Sequence, residues 1–174
     1  MISYIMNTKN CMSVLLLSDR FDSFSFIGGE ITTYCTFQID GTYHPEFFAD
    51  KEDVWGEFSG DKKAAGSEPY VRWSYVREYC LSLIKGKQTP LRFHFILSLS
   101  PDQIEALLQR ADLPYRSGDI KGLYLNFRFD GTRLLCTTGT SFHTFVLDKS
   151  LEHLWDGTVM KLFASKGLEF EENG

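Results

Sequence analysis

The sequence predicts an α+β fold in which antiparallel strands form sheets and helices pack on one face. Three observations carry this. Alternating runs have the period of a half-buried strand, most clearly where Leu123, Leu125, Phe127 and Phe129 alternate with Tyr124, Asn126 and Arg128. Asp-Gly pairs at Asp40-Gly41 and Asp130-Gly131 follow such runs and are strong hairpin signals. Between the runs, four segments carry apolar residues at the i, i+3, i+4 spacing of a helix.

In chain order, Ile2 to Met6 reads as a short strand. Asn7 to Asp19 reads as a helix, with Met12, Leu15, Leu16 and Asp19 on one stripe. Ser23 to Ile27 is a strand closed by a Gly28-Gly29 turn. Ile31 to Ile39 follows as a second strand, with Thr33, Cys35, Phe37 and Ile39 on one face, and a returning strand runs from Thr42 toward Phe47 until Pro45 breaks it. Charges, small residues, glycines and prolines between 49 and 69 predict a mobile loop. Ser74 to Ile84 is a helix with Val76, Tyr79, Cys80 and Leu83 inward, ended by Lys85 and Gly86.

Leu91 to Leu99 alternates as a strand. Ser100-Pro101-Asp102-Gln103 is a capping box with proline at the first helical position, opening a helix whose stripe is Ile104, Leu107, Leu108 and Ala111. After Pro114 to Asp119 come the alternating strand, the Asp130-Gly131 turn, and Leu134 to Thr138. A Gly139-Thr140 turn then leads to a third strand from Phe142 to Leu147. The last helix, about 150–166, begins at Ser150, presents Leu151, Leu154, Trp155, Val159, Leu162 and Phe163, and stops at Gly167. The acidic tail after Leu168 is expected to fray.

Length and composition bound the rest. A chain of 174 residues is the size of one domain and long enough to hold a core without staples. A hydrophobic fraction of 43% and 15 phenylalanines exceed what a disordered chain carries. The formal charge of -5 provides no global cationic field for nucleic acid or anionic lipid. The polar Asn7-Thr8-Lys9-Asn10 stretch precedes a short apolar run, the reverse of a secretory signal's order, so a cytoplasmic protein is expected. Cys11, Cys35, Cys80 and Cys136 make no C-x-x-C pair and read as reduced packing residues.

The plan of strand, helix and several strands occurs twice, over 1–48 and 91–147. Leu16 precedes Asp40 by 24 positions and Leu107 precedes Asp130 by 23. This element order resembles the repeating unit of DNA sliding clamps, which implies helices set against DNA and sheets outside. The chain departs from that family where the hole should be basic. Its first helix offers Lys9 and Arg20, and its second offers Arg110 among Asp102 and Glu105. A second resemblance rests on Ser82 to Leu91, Leu147 to Asp156 and Ile31 to Phe37, which are similar to a family of small bacterial proteins of unknown function. It implies a bacterial cytoplasmic protein and brings no catalytic residues with it.

The chemistry-bearing residues are few. Of the histidines, His44 abuts Pro45, His94 lies in a strand between Phe93 and Phe95, and His143 and His153 flank Asp148. His143, Asp148 and His153 could converge, because the strand carrying the first leads into the helix carrying the last. No spacing matches a metal site, and ordinary polar packing is the stronger reading. Gly139-Thr140-Ser141-Phe142-His143 lacks the final glycine of a serine-hydrolase elbow, and a hairpin explains it better. Neither phosphate-binding fingerprint occurs, and nothing calls for a cofactor or metal.

Arg72, Arg77, Lys85, Lys87 and Arg92, interleaved with Trp73, Tyr75 and Tyr79, make the most basic stretch and the speculative binding surface, with the look of a single-strand nucleic-acid patch. The plainer reading is lysines at a helix end and aromatics in a core. Asp50, Glu52, Asp53 and Glu57 lack the spacing of a calcium loop. The sequence therefore points to a binding or interaction protein without a catalytic motif, and less to an enzyme with a site around His143 and His153. A protein partner or a second copy of the chain is expected before nucleic acid, and a membrane is not expected.

Overall fold

A computed structural model describes residues 1–48 and 68–174. The expected loop at 49–69 lies outside the described residues except for Glu68 and Pro69, as do Asp50, Glu52, Asp53 and Glu57. The elements are β1 (Ser3–Met6), α1 (Thr8–Leu16), β2 (Ser25–Thr32), β3 (Thr36–Asp40), a 3-10 turn (Pro45–Phe48), α2 (Trp73–Ile84), β4 (Arg92–Ser98), α3 (Pro101–Ala111), a second 3-10 turn (Ser117–Asp119), β5 (Ile120–Phe129), β6 (Leu134–Phe142), α4 (Ser150–Ser165) and β7 (Phe170–Glu172). The strands form one seven-stranded sheet in the order β3-β2-β4-β5-β6-β1-β7. All its pairings are antiparallel.

The fold class is the expected α+β, with helices on one face. Alternate residues of the strands turn toward the helices: Phe93, Phe95 and Leu97 on β4, Leu123, Leu125, Phe127 and Phe129 on β5, and Tyr4 and Met6 on β1 are all buried. Onto them α2 lays Trp73, whose ring centroid lies 5.5 Å from Phe26 and 5.3 Å from Phe95. The Trp73 indole N–H donates to the Leu15 carbonyl of α1 at 2.8 Å, so the polar atom of this buried ring is satisfied at a helix end. Phe163 of α4 packs edge-on against Tyr4 at 5.6 Å. Each such side chain contributes about 1.5–3 kcal/mol by leaving water. The capping box forms as its sequence specifies, with Gln103 N–H donating to the Ser100 hydroxyl and Ser100 N–H donating to the Gln103 side chain at 2.9 Å.

Several boundaries differ from the sequence reading. Gly28 and Gly29 are inside β2, beside a bulge between Phe26 and Gly28. Glycine serves there for close approach, since a Cβ on Gly29 would stand 2.9 Å from the Phe95 ring. The turn falls at residues 33–35 and folds the expected strand Ile31 to Ile39 back on itself, pairing Thr32 with Thr36. Asp40-Gly41 makes no hairpin. Gly41 N–H donates to Ile27 O at 3.0 Å and its carbonyl accepts from Val71 at 2.9 Å, so the chain is pressed against β2 where a Cβ would meet Phe26 O at 1.8 Å. The expected strand from Thr42 to Phe47 is instead a 3-10 turn begun by Pro45.

Asp130-Gly131 does join β5 to β6, with Gly131 at φ 101°. β6 runs through Gly139 to Phe142, opposite Ile120 where β5 begins. No strand remains to pair beyond that point, so the expected strand Phe142 to Leu147 ends at its first residue. Phe145 and Leu147 are then 88% and 83% exposed. The tail expected to fray is β7, docked on β1 because Phe170 packs at 5.3 Å from Tyr4 and 5.4 Å from Phe163. On α2 the buried residues are Trp73 and Cys80, while Tyr79 is 71% exposed. Strand, helix and hairpin do occur twice in order. However, β4 pairs with its own β5, whereas β1 pairs with β6 and β7 and stands apart from β2.

Candidate functional site

Strand residues between the buried ones face away from the helices. The register places Glu30, His94, Arg128 and Leu135 side by side on β2, β4, β5 and β6. The same row reaches Gln38 on β3, Ile5 on β1 and Glu171 on β7. The next row holds Gly28, Ile96, Asn126 and Thr137. None of these residues is fully buried, so among the described residues one face of the sheet is left uncovered by the four helices.

Two cavities lie at opposite ends of these strands, and the second reaches α3 at Pro101 and Ile104. One, of about 260 Å³, lies among Glu30, Thr32, Arg92, His94, Arg128 and Asp130, with Phe93 and Phe129 also in its lining. The other, of about 350 Å³, lies among Ser25, Ile27, Tyr70, Ser98, Ile120, Lys121 and His143. In the first, the His94 ring is held below its ordinary pKa by burial and then by the Arg128 guanidinium, against the pull of Asn126 and Glu30. It is therefore a neutral hydrogen-bonding group near pH 7. Asp130 is committed to its own turn. Its Oδ1 accepts from Thr132 N–H at 2.9 Å, the Thr132 hydroxyl at 2.8 Å and Arg133 N–H at 2.8 Å, which holds its carboxyl down at about 2. Among the described residues, the side chains of Arg92, Arg128 and Glu30 make no ion pair within 4.0 Å.

The basic residues expected to act together are divided. Arg72 donates to Glu68 at 3.3 Å, and Arg77 grips Asp22 with two bonds of 2.8 and 3.0 Å, as a structural fork between α2 and the α1–β2 connection. Lys85 and Lys87 line a groove of about 540 Å³ with Met12, Leu17, Leu81 and Ile84. Of the five, Arg92 is the one in the cavity beside His94 and Arg128. Trp73, expected as a stacking surface, is a core residue.

His143, Asp148 and His153 have separate surroundings. His143 lines the second cavity. Asp148 accepts from Tyr115 Oη at 2.7 Å and from Ser150 N–H at 3.1 Å, so it holds the start of α4 where Ser150 was expected to do so. His153 is exposed on α4, beside Glu152. The His44 Nδ1–H donates to the Glu46 carboxylate at 2.8 Å in the exposed turn. Among the described residues, no group of three or more His, Cys, Asp or Glu is placed to hold a metal ion. Cys11, Cys80 and Cys136 are buried, and burial pushes the first two thiols up to about 12, whereas Cys35, expected to pack, is exposed in the β2–β3 turn. Glu30 and Arg128 went unselected in the sequence. Arg128 sits on the polar side of the β5 alternation, the one signal that could have found it, and Glu30 was hidden by the misplaced glycine turn.

The fold and site define an α+β protein whose described residues form one antiparallel sheet, covered by helices on one face and open on the other. Residues 14–171 match a family of unknown function, DUF5721, and the chain belongs to that family. No curated protein and no solved structure matches it. Among the described residues, no helix is long and apolar enough to cross a membrane.

Proposed function

We propose that this is a non-catalytic binding protein that holds a small ligand on the sheet face that the described helices leave open. The observation that carries this reading is the first cavity, where two guanidiniums without ion partners among the described residues stand on adjacent strands around a neutral histidine. A few convergent polar groups within a partly apolar lining are the usual makeup of a ligand site. The nucleic-acid reading has less support, because Asp22 and Glu68 neutralise Arg77 and Arg72. Four free thiols suit a reducing compartment, the bacterial cytoplasm in our reading.

Titration of the isotopically labelled chain with a set of small polar fragments, read by amide chemical shifts, tests the proposal. Shifts gathered at Glu30, His94, Asn126 and Arg128 are expected. Shifts confined to the helices, or to the groove between α1 and α2, would overturn it.

A further inference from the structure

The lining of the first cavity specifies more than a charge. Its formally ionised side chains are Arg92, Arg128, Glu30 and Asp130. Asp130 stays ionised, but its Oδ1 takes three donors from its own turn, so Arg92, Arg128 and Glu30 are the charged side chains left without such partners to face a ligand. Glu30 and Arg128 lie on strands either side of β4, so their backbones are roughly 10 Å apart at the usual strand spacing. Between them lies His94, which also lines the cavity. Opposite charges at this spacing, unpaired with each other, leave room for a group that joins them.

We infer that this cavity takes a small amino dicarboxylate, an acidic α-amino acid or a close analogue, an inference that rests on the ligand-binding reading above. Each guanidinium forks onto one carboxylate, the geometry in which arginine is most selective. The Glu30 carboxylate receives the ammonium, and neutral His94 hydrogen-bonds between them. With Asp130 engaged by its own turn, the remaining groups complement the ligand in sign: the guanidiniums of Arg92 and Arg128 against two carboxylates, and the Glu30 carboxylate against one ammonium. A volume of about 260 Å³ is below that of drug-sized sites, which run from roughly 300 to 1,000 Å³, so the ligand is small.

Calorimetric titration of the full chain with L-glutamate, succinate and 1,4-diaminobutane at equal ionic strength tests this. L-glutamate is expected to bind at least about tenfold more tightly than either compound lacking one kind of charge. Glu30→Gln should bring L-glutamate down to the level of succinate, and Arg128→Gln should weaken both carboxylates about tenfold. Both positions are exposed, and circular dichroism would verify that the variants fold. Succinate binding as tightly as L-glutamate overturns the amino-acid assignment. If other fragments shift the His94 and Arg128 amides while L-glutamate does not, the ligand class fails and the binding face stands. If none shifts them, both fail.

Discussion

His94 is flanked on one strand by Glu30 and on the other by Arg128, with Asn126 diagonal to it. Its folded pKa lies below 6.5, so between that folded value and 6.5 the unfolded chain binds more protons. The stability this group contributes is therefore fully present above about pH 6.5 and is lost as the pH falls through the folded value. The melting temperature of the wild type should fall more steeply from about pH 7 to about pH 5 than that of His94→Gln. Parallel curves would show that burial and Arg128 do not act on this ring. The residue scale also explains why a basic stretch in sequence need not be a basic surface. Arg72 and Arg77 are tied down by Glu68 and Asp22, which lie near or far in sequence with equal effect.

At the scale of elements, local chemistry was legible where the element satisfies itself. The Ser100 capping box fixes the start of α3 whatever surrounds it, and the alternation of β5 fixes which of its side chains are buried. Asp40-Gly41 and Asp130-Gly131 carry the same turn chemistry and have different outcomes. The second is closed by two strands that pair with each other, and the first by Ile27 and Val71, which sequence order does not bring near. The tail shows the same principle in reverse, since three residues too few for a stable strand are held by one aromatic anchor. Phe170→Ala should cost about 2 kcal/mol in denaturant unfolding, because it strips a half-buried ring from Tyr4 and Phe163. An unchanged midpoint would return β7 to the status of a loose end.

Across the whole molecule, the sheet is assembled from distant parts of the chain. β1 pairs with β6, as Tyr4 with Cys136, and β7 closes the far edge beyond it. Such long-range pairing defers order at the margins, while β4 and β5 lie inside the sheet with a neighbour on both sides. Amide exchange should accordingly be slowest in β4 and β5 and fastest among the strands in β3 and β7. Equal protection in β7 and β5 would contradict that gradient. The same arrangement gives the sheet a covered face and an open one, and the cavity of Arg92 and Arg128 exists because four helices are spent on the other side.

The sequence by itself determined the α+β class, the helix at Pro101–Ala111 with its cap, the inward set of β5 and the hairpin at Asp130-Gly131, because each follows from interactions within a few residues of its own position. It also marked Arg92 and His94 as chemistry-bearing side chains. Only the tertiary structure decided that the strands make one sheet, that Asp40-Gly41 runs on beside β2, and that Arg92 meets Glu30, His94 and Arg128 while Arg72 and Arg77 are withdrawn. Those outcomes depend on strand neighbours, and in a sheet ordered β3-β2-β4-β5-β6-β1-β7 the neighbours come from segments far apart in the chain.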